Sequence, residues 1–417
     1  MPQNPATDPF DDDAFGEDLF DEEPRDAQPA APAPQGPDQT DRVIIAAAEE
    51  VGTDCPCDLI VVDDATGELT AYALESVAEH EDAVVLSWTS SLTLATALQE
   101  RFAAQIEAGR LRVPAGPETI PLEQAAAEVE GNLLVLMRLP KAVHALEDRA
   151  RRLAEAVRVN GQSGLAIIAG GRVKHMTRAQ NDVLATLFTE VRASRGIGKS
   201  RALIGSELRE TVIAPVAAEG TAQLTVRGQR RGLALRATGA VFGGAGADAG
   251  SQLLLGALDR AVAAGELGTP EAPVASAVDL GCGNGLMTAY LAAALPEAAV
   301  LGSDADADAV SSARATLAAN HLEREGVEVT WDDALSRVAD ASVDLVLLNP
   351  PFHDGTAIDA TLVQGLLDTA ARVLRPGGQL WFVHNSHLRY RTEVERRVGS
   401  VRQRSRDRRF TVLSATR

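Results

Sequence analysis

Ala275-Ser276-Ala277-Val278-Asp279-Leu280-Gly281-Cys282-Gly283-Asn284-Gly285 runs straight into Leu286-Met287-Thr288-Ala289-Tyr290-Leu291-Ala292-Ala293-Ala294. A short apolar run closed by glycines reads as a buried strand and a tight turn, and the Ala/Leu-rich segment after it reads as a helix. Glycines at 281, 283 and 285 let the main chain approach a ligand that a Cβ would hold off. About 20 residues beyond this loop, Leu301-Gly302-Ser303-Asp304 reads as a second strand ending in a carboxylate, where an α/β nucleotide fold places its acceptor for ribose hydroxyls. Asp304 is the expected ribose ligand.

The glycine pattern is DxGxGxG. A dinucleotide site would want GxGxxG to seat a pyrophosphate, whereas a carboxylate at Asp279 argues against a diphosphate and for a cationic ligand end. S-adenosylmethionine carries both a sulfonium and an ammonium, so it is the expected cofactor, held by Asp279, Gly281, Gly283, Gly285 and Asp304. A third strand, Val327-Glu328-Val329-Thr330-Trp331, leads into Asp332-Asp333, and Asp333 is preferred over Asp332 as acceptor for an adenine amino group. A helix N-cap is the alternative for either.

The next strand, Val343-Asp344-Leu345-Val346-Leu347-Leu348, ends in Asn349-Pro350-Pro351-Phe352-His353. Paired prolines stiffen a loop and remove donors. An exocyclic amine is a weak nucleophile because its lone pair is delocalised. The Asn349 side-chain oxygen and the Pro350 carbonyl can each accept one N–H, aiming the nitrogen at a methyl donor and stabilising the charge that develops on it. Asn349, Pro350, Pro351 and Phe352 are therefore the expected catalytic residues, with Phe352 stacking on a flipped planar target. His353 is a substrate contact or a structural hydrogen bond. Val363 to Leu374 reads as a helix closed by Arg375-Pro376-Gly377-Gly378, followed by the strand Gln379 to Val383.

Working outward, Leu59–Val62, Ala83–Leu86, Leu133–Leu136 and Leu165–Ile168 are strand-length apolar runs separated by helix-patterned segments, which predicts a parallel α/β sheet. Alternating, glycine-containing pieces between about 206 and 240 suggest a β-rich connector. With 417 residues, two folded domains plus extensions are expected: an acidic extension without periodicity over 1–40, an α/β unit over 41–205, the connector over 206–250 and a second α/β unit over 251–417.

The net charge of −20 is unevenly spread. Residues 1–42 hold 12 Asp/Glu against 2 Arg, whereas residues 389–417 hold 10 Arg against 3 Asp/Glu, a stretch able to face a phosphate backbone. Cys55, Cys57 and Cys282 cannot build a disulfide framework, and no metal site is expected. Gly196-Ile197-Gly198-Lys199-Ser200 lacks the first glycine of a Walker A loop and a preceding buried strand. Asp304-Ala305-Asp306-Ala307-Asp308 has Ala309 and Ala315 where a calcium loop needs Gly and Glu. No apolar run of membrane-spanning length and no basic, apolar leader is present, so a cytoplasmic protein without a membrane partner is expected.

DLGCGNG at Asp279–Gly285, NPPFHDG at Asn349–Gly355 and the ending LRPGGQLWFVHNSHLRY with RRFTVLSATR resemble the bacterial ribosomal RNA guanine-N2 methyltransferases of both ribosomal subunits. Asp248-Ala249-Gly250-Ser251 and, more weakly, parts of residues 41–205 extend the resemblance. It implies two tandem Rossmann-like methyltransferase domains, the first a degenerate copy, the second a seven-stranded class I sheet that binds S-adenosylmethionine, and ribosomal RNA or a ribosomal subunit as partner. In the first unit no DxGxGxG or NPP occurs, and Ser87-Trp88-Thr89-Ser90 is taken to stand where the acceptor motif would be. Arg138, Lys141, Arg172, Lys174, Arg195, Lys199 and the Arg-rich end are candidate RNA contacts. NPP[FY] serves any planar amine, so a glutamine-N5 or adenine-N6 methyltransferase, or a non-catalytic RNA-binding assembly factor, stays open, as does the oligomeric state.

Overall fold

A computed structural model describes residues 36–52, 59–129, 131–161, 164–211, 213–241, 243–267, 273–350 and 360–417. The acidic stretch to residue 35, Cys55 and Cys57, and Pro351, Phe352 and His353 lie outside the described residues. Residues 1–36 and 37–417 form separate units, and every helix and strand named below belongs to the second.

Two seven-stranded sheets are built on one plan. The first contains β1 (Leu59–Val62), β2 (Val85–Trp88), β3 (Leu111–Arg112), β4 (Leu133–Arg138), β5 (Leu165–Arg172), β6 (Phe188–Ala193) and β7 (Ser200–Leu208), in the order β3-β2-β1-β4-β5-β7-β6. A hairpin, β8 (Ala218–Val226) and β9 (Gln229–Ala237), comes next. The second sheet contains β10 (Ser276–Leu280), β11 (Ala299–Asp304), β12 (Val327–Trp331), β13 (Val343–Leu348), β14 (Leu374–Asn385), β15 (Ser400–Arg406) and β16 (Phe410–Thr416), in the order β12-β11-β10-β13-β14-β16-β15. In each sheet the strand next to the edge, β7 or β16, runs antiparallel to both its neighbours, and all other pairings are parallel. The central strands β1, β2, β10 and β13 are buried nearly throughout, as unbroken apolar runs covered by helices on both faces require. Two tandem Rossmann-like units, as expected, are present.

Local chemistry accounts for the details. The helix Gln39–Val51 begins within the stretch expected to close the extension, because Asp38 and Asp41 form a capping box there. The helix expected over Val363–Leu374 spans Ala360–Val373, and β14 starts at once at Leu374, taking Arg375–Gly378 into a bulge instead of a separate stop. Gly196–Ser200 is the turn joining β6 to β7. The outer edge of β9 is satisfied by polar side chains of the helix Ala307–Ala319 and its C-cap: the amides of Ala234, Arg236 and Thr238 donate to Asn320, Thr316 and Ser312, each at 2.9 Å. Among the described residues no helix is long and apolar enough to cross a membrane.

The shared plan corrects one expectation. β13, which carries the acceptor motif at its end, corresponds to β4 and not to β2. Both lie beside the strand that enters the first loop, with Leu280 paired to Leu348 and Val62 to Met137. Arg138 therefore stands where the second sheet has Asn349, and Ser87–Ser90 spans the end of β2, the counterpart of β11, and the two residues after it. The apolar run 83–86 alone could not reveal its place in the sheet.

Candidate active site

The loop between β10 and the helix Leu286–Ala294 is built from three residues in the left-handed region, Gly281, Gly283 and Gly285, with φ of +80°, +51° and +79°. Gly285 caps the helix, and a Cβ there would stand 2.6 Å from the Ala313 Cα. Glycine is thus required for close packing at 285 and for the backbone turn at the other two positions. Gly281 and Gly283 line a cavity of about 280 Å³, while Gly285 and Asp279 lie behind it. Leu280, Ser303, Asp304, Asp306, Asp333, Asn349, Pro350, Leu362 and Leu366 complete most of the wall.

Asp304 ends β11. One of its oxygens accepts the Gly283 amide at 3.0 Å and the other accepts the Asp306 amide at 3.0 Å. Burial raises its carboxyl above the usual range. Asp332 is buried, with its carboxylate taken by Ser336 and the Arg337 amide, whereas Asp333 is exposed on the cavity rim. That leaves Asp333 the freer acceptor of the pair. Asp279 is fully buried, accepts the Thr288 hydroxyl at 2.6 Å, and is pushed up to about 7 by burial. Its second oxygen and the Ser303 hydroxyl have no hydrogen-bond partner among the described residues.

At the end of β13 the Asn349 amide nitrogen donates to the Asp248 carboxylate and to the Ser251 hydroxyl, each at 2.8 Å. Asp248 is the N-cap of the helix Ala249–Ala263, and it also accepts the Ser251 amide at 2.7 Å. Both amide hydrogens of Asn349 are thereby used, which leaves its oxygen as a fixed acceptor. A cavity of about 50 Å³, lined by Asp248, Ser251, Cys282, Asn284 and Asn349, adjoins the other side of the glycine loop. Asn284 ties that loop to the segment before Asp248, donating to the Gly244 and Gly246 carbonyls at 2.8 and 2.9 Å.

The structure thus brings Gly281, Gly283, Asp304, Asp333, Asn349 and Pro350 to one cavity. Asp306, Asn284 and the roles of Asp248 and Ser251 were not read from the sequence, although Asp248 three residues before Ser251 is a usable N-cap signal. The first sheet has the same local frame with different chemistry. Its loop after β1 is Asp63-Asp64-Ala65-Thr66-Gly67, with Asp63 at φ +56° and Gly67 capping the next helix at φ +78°. Arg138, at the Asn349 position, pairs with Asp38 and Asp41 at 2.6 Å each, so that frame presents a donor and no acceptor.

Residues 28–210 match the RLMG N-terminal domain model and residues 232–414 the methyltransferase small domain model. A solved T. thermophilus 16S rRNA N2 methyltransferase (RsmC), in complex with AdoMet and guanosine, shares the fold with a TM-score of 0.65 at 21% identity, covering 91% of this chain and 92% of that one. The ribosomal RNA large subunit methyltransferase G of Streptomyces coelicolor is 34% identical over 289 residues, 68% of this chain and 72% of the relative. That of Pseudomonas aeruginosa is 31% identical over 384 residues, 91% and 92% of the two chains. The chain belongs to the family of the ribosomal RNA large subunit methyltransferases G.

Proposed function

We propose that this chain methylates the exocyclic N2 of a guanine in ribosomal RNA of the large subunit, with S-adenosylmethionine as methyl donor. The observation that carries the reading is the Asn349 amide, held through both hydrogens by Asp248 and Ser251 beside the glycine loop. A side chain fixed in this way offers an oxygen that cannot swing away from an incoming N–H. The large-subunit assignment rests on what the relatives of this chain are named for.

The residues present suit the cofactor. Leu280, Leu362 and Leu366 give apolar walls for an adenine ring, Asp304 retains lone pairs for ribose hydroxyls, Asp333 can accept from an amino group, and the unpartnered Ser303 hydroxyl can serve the nucleoside. The methionine end would lie along Gly281–Gly283 toward the small cavity, where Asp248 offers negative charge. Asp279 acts from behind the loop, as a buried carboxylate. When bound, the cofactor supplies an electrophilic methyl group. The protein's part is to orient the amine through the Asn349 oxygen and the Pro350 carbonyl, to exclude water, and to stabilise the positive charge that grows on nitrogen before a proton is lost to solvent. Pro351 would stiffen this loop, Phe352 would stack on the flipped base, and His353 would contact base or loop.

In this reading, 251–417 is the catalytic domain, 206–250 a connector, 41–205 a unit that shapes the RNA site without catalysing, and 1–40 an acidic extension, in a protein working in the cytoplasm. Mass spectrometry of nucleosides from ribosomal RNA of cells with and without the gene tests it. Loss of N2-methylguanosine from one large-subunit fragment is the expected result, and an unchanged RNA profile would overturn the proposal.

A further inference from the structure

In the second sheet the space beyond β10 and β11 is the cofactor cavity. In the first sheet the equivalent space is filled from within by Arg149, on the helix Val143–Val159 that follows β4. Arg149 is 2% exposed. Its guanidinium lies 4.6 Å from the centre of the Trp88 ring at the end of β2 and 3.4 Å from Asp63, the counterpart of Gly281. Its outer nitrogens reach across to the other unit and grip both oxygens of Asp308, at 3.2 and 2.8 Å.

Asp308 stands behind the wall of the working site, between the lining residues Asp306 and Ala309. Its amide donates to Asp306 at 2.9 Å, the Asp306 amide donates to Asp304, and Asp304 accepts the Gly283 amide. Its carboxylate also accepts the Ala240 amide at 3.2 Å, next to the cavity-lining Val241. Beside this chain the N-cap loops of corresponding helices form an antiparallel bridge between Ser91 and Asp306, with the Leu92 amide donating to Ala305 and the Ala307 amide to Ser90, each at 2.8 Å. Three carboxylates crowd this loop, and Arg149 is the buried cation that offsets two of them, Asp308 and Asp306.

From this geometry we infer that Arg149, lodged in the vacated pocket of the first unit, is a positioning residue that sets the Asp304–Asp308 loop for cofactor binding in the second. The degenerate copy thus contributes to the working site through a side chain that replaces its own ligand. The inference rests on the cofactor reading above. A planar guanidinium that both stacks on Trp88 and grips two oxygens is not replaced by lysine.

The test uses the full chain with Arg149→Met, Arg149→Lys and the double variant Arg149→Met/Asp308→Asn, which removes both partners of the buried Arg149–Asp308 pair. Two readouts apply: calorimetric Kd for S-adenosylmethionine, and amide hydrogen exchange of residues 304–310 in the ligand-free protein. Arg149→Met should weaken binding by about tenfold or more, with faster exchange in that loop and kcat at saturating cofactor changed far less than KM. Arg149→Lys should fall between wild type and Arg149→Met. The double variant should stay folded yet bind as weakly as Arg149→Met, and it decides the matter if Arg149→Met does not fold. Folded variants with Kd within about twofold of wild type and unchanged loop exchange would overturn the inference and leave Arg149 as core filling alone. Failure of the wild-type chain to bind S-adenosylmethionine would instead overturn the functional reading, and the inference with it.

Discussion

Replacing Asn349 by alanine removes the proposed acceptor oxygen while sparing the residues proposed to hold ribose and adenine. The side chain is partly buried and its two hydrogen bonds, to Asp248 and Ser251, are lost. At about 1.5–3 kcal/mol for the bond to the Asp248 carboxylate and about 0.5–1.5 kcal/mol for the bond to Ser251, these cost roughly 2–4.5 kcal/mol of stability, less than the 5–15 kcal/mol or so of a typical domain, and Asp248 keeps its bond from the Ser251 amide. The variant should fold and bind S-adenosylmethionine with a Kd within a few-fold of wild type. Its kcat should fall about 10²- to 10³-fold, or about 2.7–4 kcal/mol, the scale for deleting one preorganised hydrogen-bonding group at a centre where charge develops. Initial rates of methyl incorporation into ribosomal RNA from cells lacking the gene, at saturating cofactor, give kcat, and calorimetry gives Kd. A kcat for Asn349→Ala within about threefold of wild type at unchanged Kd would refute the acceptor role.

Asp304→Ala should act in the opposite sense, raising Kd for S-adenosylmethionine by about 10- to 100-fold and lowering kcat at saturation much less, since the residue holds the Gly283 and Asp306 amides and is the proposed acceptor for the ribose hydroxyls; equal loss in both parameters would contradict it. Gly285→Ala forces a side chain into left-handed backbone and against Ala313, so chemical denaturation should show a loss of about 2–5 kcal/mol, and a loss under about 1 kcal/mol would show that the loop yields. For Asp279, pushed up to about 7 by burial from a usual value of 3.8, the folded chain holds a proton that the unfolded chain has lost between those pH values. The stability it contributes is present below the lower value and lost as pH rises through the upper. Asp279→Asn should therefore gain on wild type across that window, by about 4 kcal/mol at most, measured as the difference between their unfolding free energies at pH 4 and pH 8; a flat difference would remove the shift.

Much of the site is local and could be read without a structure. Glycines 281, 283 and 285 sit where the backbone must turn left-handed, Asp304 ends a strand at a fixed distance beyond them, and the Asn349-Pro350 step follows an unbroken apolar run. What could not be read depends on segments distant in the chain. Asp248 and Ser251 lie about a hundred residues from the asparagine they orient. The true counterpart of the acceptor strand in the first unit, β4, was misplaced because four similar apolar runs carry no label of their order in a sheet.

Periodicity, glycine spacing and residue chemistry thus determined on their own that the chain has two α/β units, that only the second keeps a cofactor loop, and that a planar amine suits the motif at Asn349, because each depends on neighbours within a few residues. Only the tertiary structure decided which strands correspond, that Arg138 stands at the acceptor position of the first unit, and that Arg149 and Asp308, 159 residues apart, form one buried pair. The Arg149–Asp308 pair is set by the packing of helices and loops of one α/β unit against the other, where burial makes an unmatched charge intolerable and a matched one directional.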